Sequence, residues 1–114
     1  MVMDYVSHSV KETQELAQKI INQARQAGVN VIAMYGELGA GKTTLVQGMA
    51  AALGIQKQVI SPTFILIREY ELVHQPWQRL YHVDLYRLEE AGEMKSMELE
   101  ELWDDPKNLV VIEW

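Results

Sequence analysis

The stretch YGELGAGKTTLVQGM, which begins at Tyr35, places three glycines, a lysine and two threonines within ten residues. The run before it, NVIAMY, is almost wholly apolar, and the residues after it carry a helical pattern. Few folds accept this order. A continuous apolar run with β-branched residues predicts a strand covered on both faces, and a glycine-rich turn must deliver the chain from that strand directly into a helix. The helix is expected over about 42–53, with Gly54 as its stop.

The turn satisfies G-x-x-x-x-G-K-[ST] in full, with Gly36, Gly41, Lys42 and Thr43 at the fixed positions. Each fixed position answers to the chemistry of a triphosphate, which is a dense anion. A loop wrapped around it must turn amide N–H groups inward, through backbone angles that glycine adopts at low cost. The helix that follows adds free N-terminal amides and the positive end of its dipole. Lys42 supplies a mobile cation for the β- and γ-phosphates, and the Thr43 hydroxyl stands where it can ligate a Mg²⁺ that bridges them. Because the pattern follows an apolar run and opens a helical one, nucleotide binding is preferred to an incidental glycine-rich turn.

The rest of the chain alternates helices and strands. SHSVKETQELAQKIINQARQAG opens with a capping box, in which Ser9 accepts from the amide of Glu12 and Glu12 reaches back. Leu16, Ile20, Ala24 and Ala27 recur at helical spacing, widened by Ala17 and Ile21, and Gly28 is the natural stop. In SPTFILIREYELV, Phe64, Leu66, Tyr70 and Leu72 share one side of a strand, with Glu69 and Glu71 on the other. RLYHVDLYR returns as a second strand, so these two form an antiparallel hairpin around HQPWQ. LEEAGEMKSMELEELWDD is helical and acidic, broken near Gly92 and ended at Pro106, and NLVVIEW is a last buried strand. Strands alternating with helices, plus one hairpin, predict an α/β layer with a mainly parallel sheet.

Charge narrows the function classes. Residues 89–105 hold eight of the 16 acidic residues against one basic residue, Lys95, a local −7 beside −6 for the whole chain. The remainder is therefore near neutral, at +1, so a uniformly basic nucleic-acid face is excluded. The acidic segment is a solvated helix face or a protein-docking surface. With no cysteine, the chain has no disulfide, thiol nucleophile or cysteine zinc site. His8, His74 and His82 lack metal-ligand spacing. No apolar run reaches the ~20 residues of a membrane span, and no secretory signal is visible, which makes the cytoplasm the default. A length of 114 residues suits one domain.

A nucleotide site of this kind needs an acidic residue at the end of a buried strand to hold Mg²⁺. Asp84, after LYHV, and Glu113, after LVVI, are the two candidates. A helix N-cap at Asp84 and a solvated chain end at Glu113 are the competing readings. Thr63, in Ser61-Pro62-Thr63-Phe64, can lend a hydroxyl to the metal and sense the γ-phosphate as switch loops do, or it belongs to a plain turn set by Pro62. Trp77 is read as a loop packing residue, and Trp103 and Met97 as the core face of the acidic helices. Neither N-K-x-D nor D-x-x-G occurs, so a guanine preference has no support. Among the arginines, Arg87 alone, three residues beyond Asp84, is well placed to reach phosphate, and pairing with a nearby carboxylate is the equal alternative. An ATPase, a small-molecule kinase and a non-hydrolysing nucleotide-gated adaptor remain open on the residues alone.

GELGAGKTTLVQG, SPTF, HVDLYRL and VIEW, in this order and at close spacing, together resemble the TsaE (YjeE) family, over essentially the whole chain. The resemblance implies a P-loop NTPase fold, a three-layer α/β sandwich in one domain. It implies a cytoplasmic ATPase that binds ATP and Mg²⁺ and associates with TsaB and TsaD, which install the threonylcarbamoyl group on adenosine in tRNA. Hydrolysis by family members alone is weak. Carried onto this chain, the resemblance implies phosphate binding by Gly36, Glu37, Leu38, Gly39, Ala40, Gly41, Lys42, Thr43 and Thr44. It implies metal binding by Thr43, catalytic roles for Lys42, Asp84 and Glu113 with both carboxylates flanking the metal and the attacking water, and a switch-like Thr63. Relatives continue past Glu113-Trp114 with further strands. A chain ending there is expected to be a truncated form in which nucleotide binding persists and hydrolysis is impaired.

Overall fold

Ser9 starts the first helix as the capping box predicts: its side-chain oxygen accepts the amide of Glu12 at 3.1 Å. The helix, α1 (Val10–Ala27), stops at Gly28, which takes the left-handed conformation (φ 67°) and donates its N–H to the Ala24 carbonyl. The computed structural model describes residues 9–35, 42–55, 67–85 and 96–113. These contain β1 (Val31–Met34), α2 (Lys42–Ala52), β2 (Ile67–Glu71), β3 (Arg79–Asp84), α3 (Ser96–Asp104) and β4 (Asn108–Glu113). Gly54, at φ 82°, follows α2 in the expected place.

The four strands form one mixed, mostly parallel sheet in the order β1-β4-β3-β2. β1, β4 and β3 run parallel, and β2 pairs antiparallel with β3 as the outer strand of the predicted hairpin. β4, last in the chain, enters between β1 and β3. All six of its residues are buried. This corrects the expectation for NVIAMY. β1 is an edge strand among the described residues; Met34 is buried, but Ala33 is exposed. A continuous apolar run is compatible with either place in a sheet. Which run becomes central depends on strand order, and that is a long-range choice.

Alternation along the strands divides the core into two clusters on opposite faces. Met34, Leu80, Leu109 and Val111 pack with Ala17, Ile21 and Ala24 of α1 and Val46, Met49 and Ala50 of α2. Val83, Val110 and Ile112 pack with Leu85 and with Leu99 of α3, and Trp103 lies against them half-buried. Met97 lies outside the residues whose side chains are described. The apolar stripe of α1 is turned from its expected centre: Ala17, Ile21 and Ala24 are buried, while Leu16 and Ile20 are half-buried and Ala27 is exposed. The cause is a close approach to α2. A Cβ on Gly48 would stand 2.8 Å from the Ala17 Cβ, so only glycine lets the two helices meet there.

Two polar fixtures hold the periphery. Gln75 in the hairpin loop accepts from Arg25 Nη2 at 2.6 Å and donates to the Leu53 carbonyl at 3.3 Å, tying that loop to the ends of α1 and α2. Trp77 is buried beneath the same loop. At the C-terminal end of α3, Asn108 donates to the Leu102 carbonyl at 3.0 Å and Asn30 to the Trp103 carbonyl at 2.7 Å. They satisfy carbonyls that the helix itself leaves unpaired before Pro106. Among the described residues no helix is long and apolar enough to cross a membrane.

Candidate functional site

Parallel pairing brings the carboxyl ends of β1, β4 and β3 to one edge of the sheet, the edge where open α/β sheets bind ligands. There Met34 is in register with Glu113, and Glu113 with Asp84. Neighbouring in-register residues of parallel strands leave the same face, so the two carboxylates stand side by side on the face that α1 and α2 cover. Both are buried, Asp84 to 9% and Glu113 to 6% exposure. Eight residues beyond Met34, Lys42 is the first residue of α2, so that helix begins just where β1 hands over the chain. Glu113 sits on the strand directly beside β1, and Asp84 lies one strand further away.

Residues 36–41, the turn itself, lie outside the described residues, as do 61–64 with Thr63, Arg87 and Trp114. Thr43 and Thr44 occupy the second and third positions of α2. Leu85, just after Asp84, is already helical, so Asp84 stands at a strand-to-helix junction where the N-cap reading also stays open.

Three features of this face have no counterpart in the expectations from sequence. His82, two residues before Asp84 on β3, is fully buried, and its Nε2 is 3.0 Å from Glu113 Oε2. Arg68 stands opposite His82 across the β2–β3 pair, and its Nε is buried with no hydrogen-bond partner among the described residues. Tyr70, two residues on, has a buried hydroxyl without one. Arg68 is therefore the arginine that the described residues place on this face, in the row of His82, while the expectation for Arg87 falls outside them. A signal was present: Arg68 falls on the even-numbered, apolar side of its strand with Leu66, Tyr70 and Leu72. His82 likewise shares the parity of Asp84.

Two neighbouring buried carboxylates repel unless a cation stands near them. Their donor chemistry suits Mg²⁺, a hard cation that takes oxygen ligands and uses one or two carboxylates together with water and phosphate. Among the described residues no group of three or more His, Asp or Glu side chains is disposed to hold a metal ion.

Residues 7–114 match the family model for the threonylcarbamoyl adenosine biosynthesis protein TsaE. The chain is similar to the tRNA threonylcarbamoyladenosine biosynthesis protein TsaE of Nostoc sp., with 46% identity over 83% of this chain and 57% of that protein. The protein of the same name from Synechocystis sp. is 36% identical, over 98% of this chain and 69% of its own length. The one from Bacillus subtilis is 41% identical over 75% of this chain and 50% of its own. The chain thus spans between about half and two thirds of the length of the curated relatives it matches. With the mixed, mostly parallel sheet, a helix opening at Gly-Lys-Thr and a family match over nearly all its residues, the chain belongs to the TsaE family.

Proposed function

We propose that this chain binds ATP with Mg²⁺ at the carboxyl edge of the sheet and hydrolyses it in support of tRNA threonylcarbamoyladenosine formation. The observation that carries the reading is the buried, in-register pair Asp84–Glu113, set beside a strand that leads through G-x-x-x-x-G-K-T into α2. On this reading residues 1–114 are a P-loop NTPase domain of three layers, working in the cytoplasm with TsaB and TsaD, which hold the tRNA. The acidic net charge supports an indirect relation to tRNA.

Lys42 and the amides of residues 36–44 bind the phosphates, Thr43 and Asp84 hold the cation, and Glu113 flanks it through the attacking water. The chemistry that bound Mg²⁺ supplies is neutralisation of charge on the β- and γ-phosphates. The water oxygen bonds to the γ-phosphorus. The bond from that phosphorus to the β–γ bridging oxygen breaks, its electron pair leaving with ADP, and the water proton passes to Glu113. Thr63 senses the γ-phosphate from its loop.

ATP binding and phosphate release, measured with and without purified TsaB and TsaD, test the reading. Release is expected to rise with the partners, and Lys42→Ala is expected to lose most of its ATP affinity. Label that moved from ATP to a metabolite or nucleoside, and not to water, would point to a kinase instead. Unchanged ATP affinity in Lys42→Ala would refute the site.

A further inference from the structure

The His82–Glu113 contact lies inside the candidate site, yet neither residue needs the other to fill the core. His82 is fully buried and lies on the same sheet face as Leu80, an apolar residue that packs in the row below it. An imidazole is the more expensive choice for that row. Its Nδ1 is buried with no hydrogen-bond partner among the described residues, and an unmet polar atom of this kind is destabilising. A side chain that only filled space would better be apolar.

The other ring nitrogen explains the choice. Nε2 is 3.0 Å from Glu113 Oε2. Nε2 is the ring nitrogen that meets the carboxylate, and the tautomer with its proton there donates to Oε2. Glu113 ends β4 and has a long, rotatable side chain, whose freedom must be removed before one oxygen can be aimed. The imidazole is held rigidly by burial on β3, and it grips one carboxylate oxygen, leaving Oε1 to accept a proton from water.

We propose that His82 is the positioning residue of the site: it fixes Glu113 through Oε2 so that Oε1 meets the attacking water. This rests on the hydrolysis reading above. His82 itself touches neither nucleotide nor water in this scheme, so its loss slows hydrolysis and spares binding.

The amide of glutamine reaches about as far as Nε2 of histidine, whereas that of asparagine reaches only about as far as Nδ1. The test compares His82→Gln, His82→Asn and His82→Leu in the whole chain with TsaB and TsaD present, measuring ATP affinity and single-turnover phosphate release. ATP affinity is expected to stay within about threefold in all three. Hydrolysis is expected to fall at least tenfold in His82→Leu and His82→Asn and to recover in His82→Gln. Packing alone does not order Gln above Asn in this way. In spectra of ¹⁵N-histidine-labelled protein, the His82 proton should reside on Nε2 and shift in Glu113→Ala. A proton on Nδ1, or equal hydrolysis by wild type and His82→Leu, overturns the proposal. A wild type that releases no phosphate overturns the hydrolysis reading instead, so the two fail separately. Should His82→Leu not fold, the Gln–Asn order still decides.

Discussion

The two faces of the sheet are built from alternate residues of the same strands, and they differ in kind. The face under α3 has an apolar centre: Val83, Val110 and Ile112 meet Leu85 and Leu99. Its buried polar residue, Asn108, lies at the opposite end of β4 from Glu113 and is satisfied by the Leu102 carbonyl. The face under α1 and α2 carries His82, Asp84 and Glu113, with the unmet Arg68 Nε and Tyr70 hydroxyl in the same rows. A one-residue step along β4, from Ile112 to Glu113, crosses from packing to chemistry. Apolar packing therefore belongs to both faces, while the buried ionisable groups belong to one.

Substitutions in β4 break this comparison most directly. Glu113→Gln keeps the shape of the side chain and removes its ability to take a proton. Phosphate release is expected to fall about 10²–10⁴-fold, with ATP affinity within about threefold, as seen in single-turnover and equilibrium binding measurements. Unaltered release would place the chemistry elsewhere. One residue away, Ile112→Ala should act through the other face alone. It is expected to lower unfolding free energy by about 2–4 kcal/mol in denaturant titrations, leaving ATP affinity per folded molecule unchanged. A specific loss of affinity there would dissolve the distinction between the faces.

Gly48→Val sharpens the comparison on the chemical face. The added branched side chain meets Ala17 where even a Cβ stands 2.8 Å away, and overpacking of this kind costs about 1–3 kcal/mol. Because α2 also opens at Lys42, some loss of ATP affinity should accompany the lower melting temperature. The smallest effect is expected for Arg79→Ala. Its 3.0 Å pair with Glu69 is half-exposed on both sides, so stability should move by less than about 0.5 kcal/mol, with hydrolysis unchanged.

Local signals in the sequence suffice where local forces decide. The Ser9 cap, the Gly28 stop, the start of α2 at Lys42 and the β2–β3 hairpin each depend on a few consecutive residues, and each stands in the structure. Asp84 and Glu113 were visible as acids closing apolar strands. Their partnership was not, because it rests on β4 entering beside β3 in one particular register. A slip of one residue would have sent Glu113 to the other face. The places of His82 and Arg68 depend on the same pairing, since their cross-strand neighbours come from other stretches of the chain.

By itself the sequence determined the elements, the nucleotide motif and the two acids, because caps, turns and glycine-rich loops are short-range chemistry. Only the tertiary structure decided which apolar run became the central strand, which face the acids share, and that a buried histidine grips one of them. Those outcomes follow from contacts between segments far apart in the chain. His82 and Glu113 are 31 residues apart in sequence and 3.0 Å apart in space. Burial of one whole face against α1 and α2 selects a single register for such pairs, and no local propensity encodes that selection.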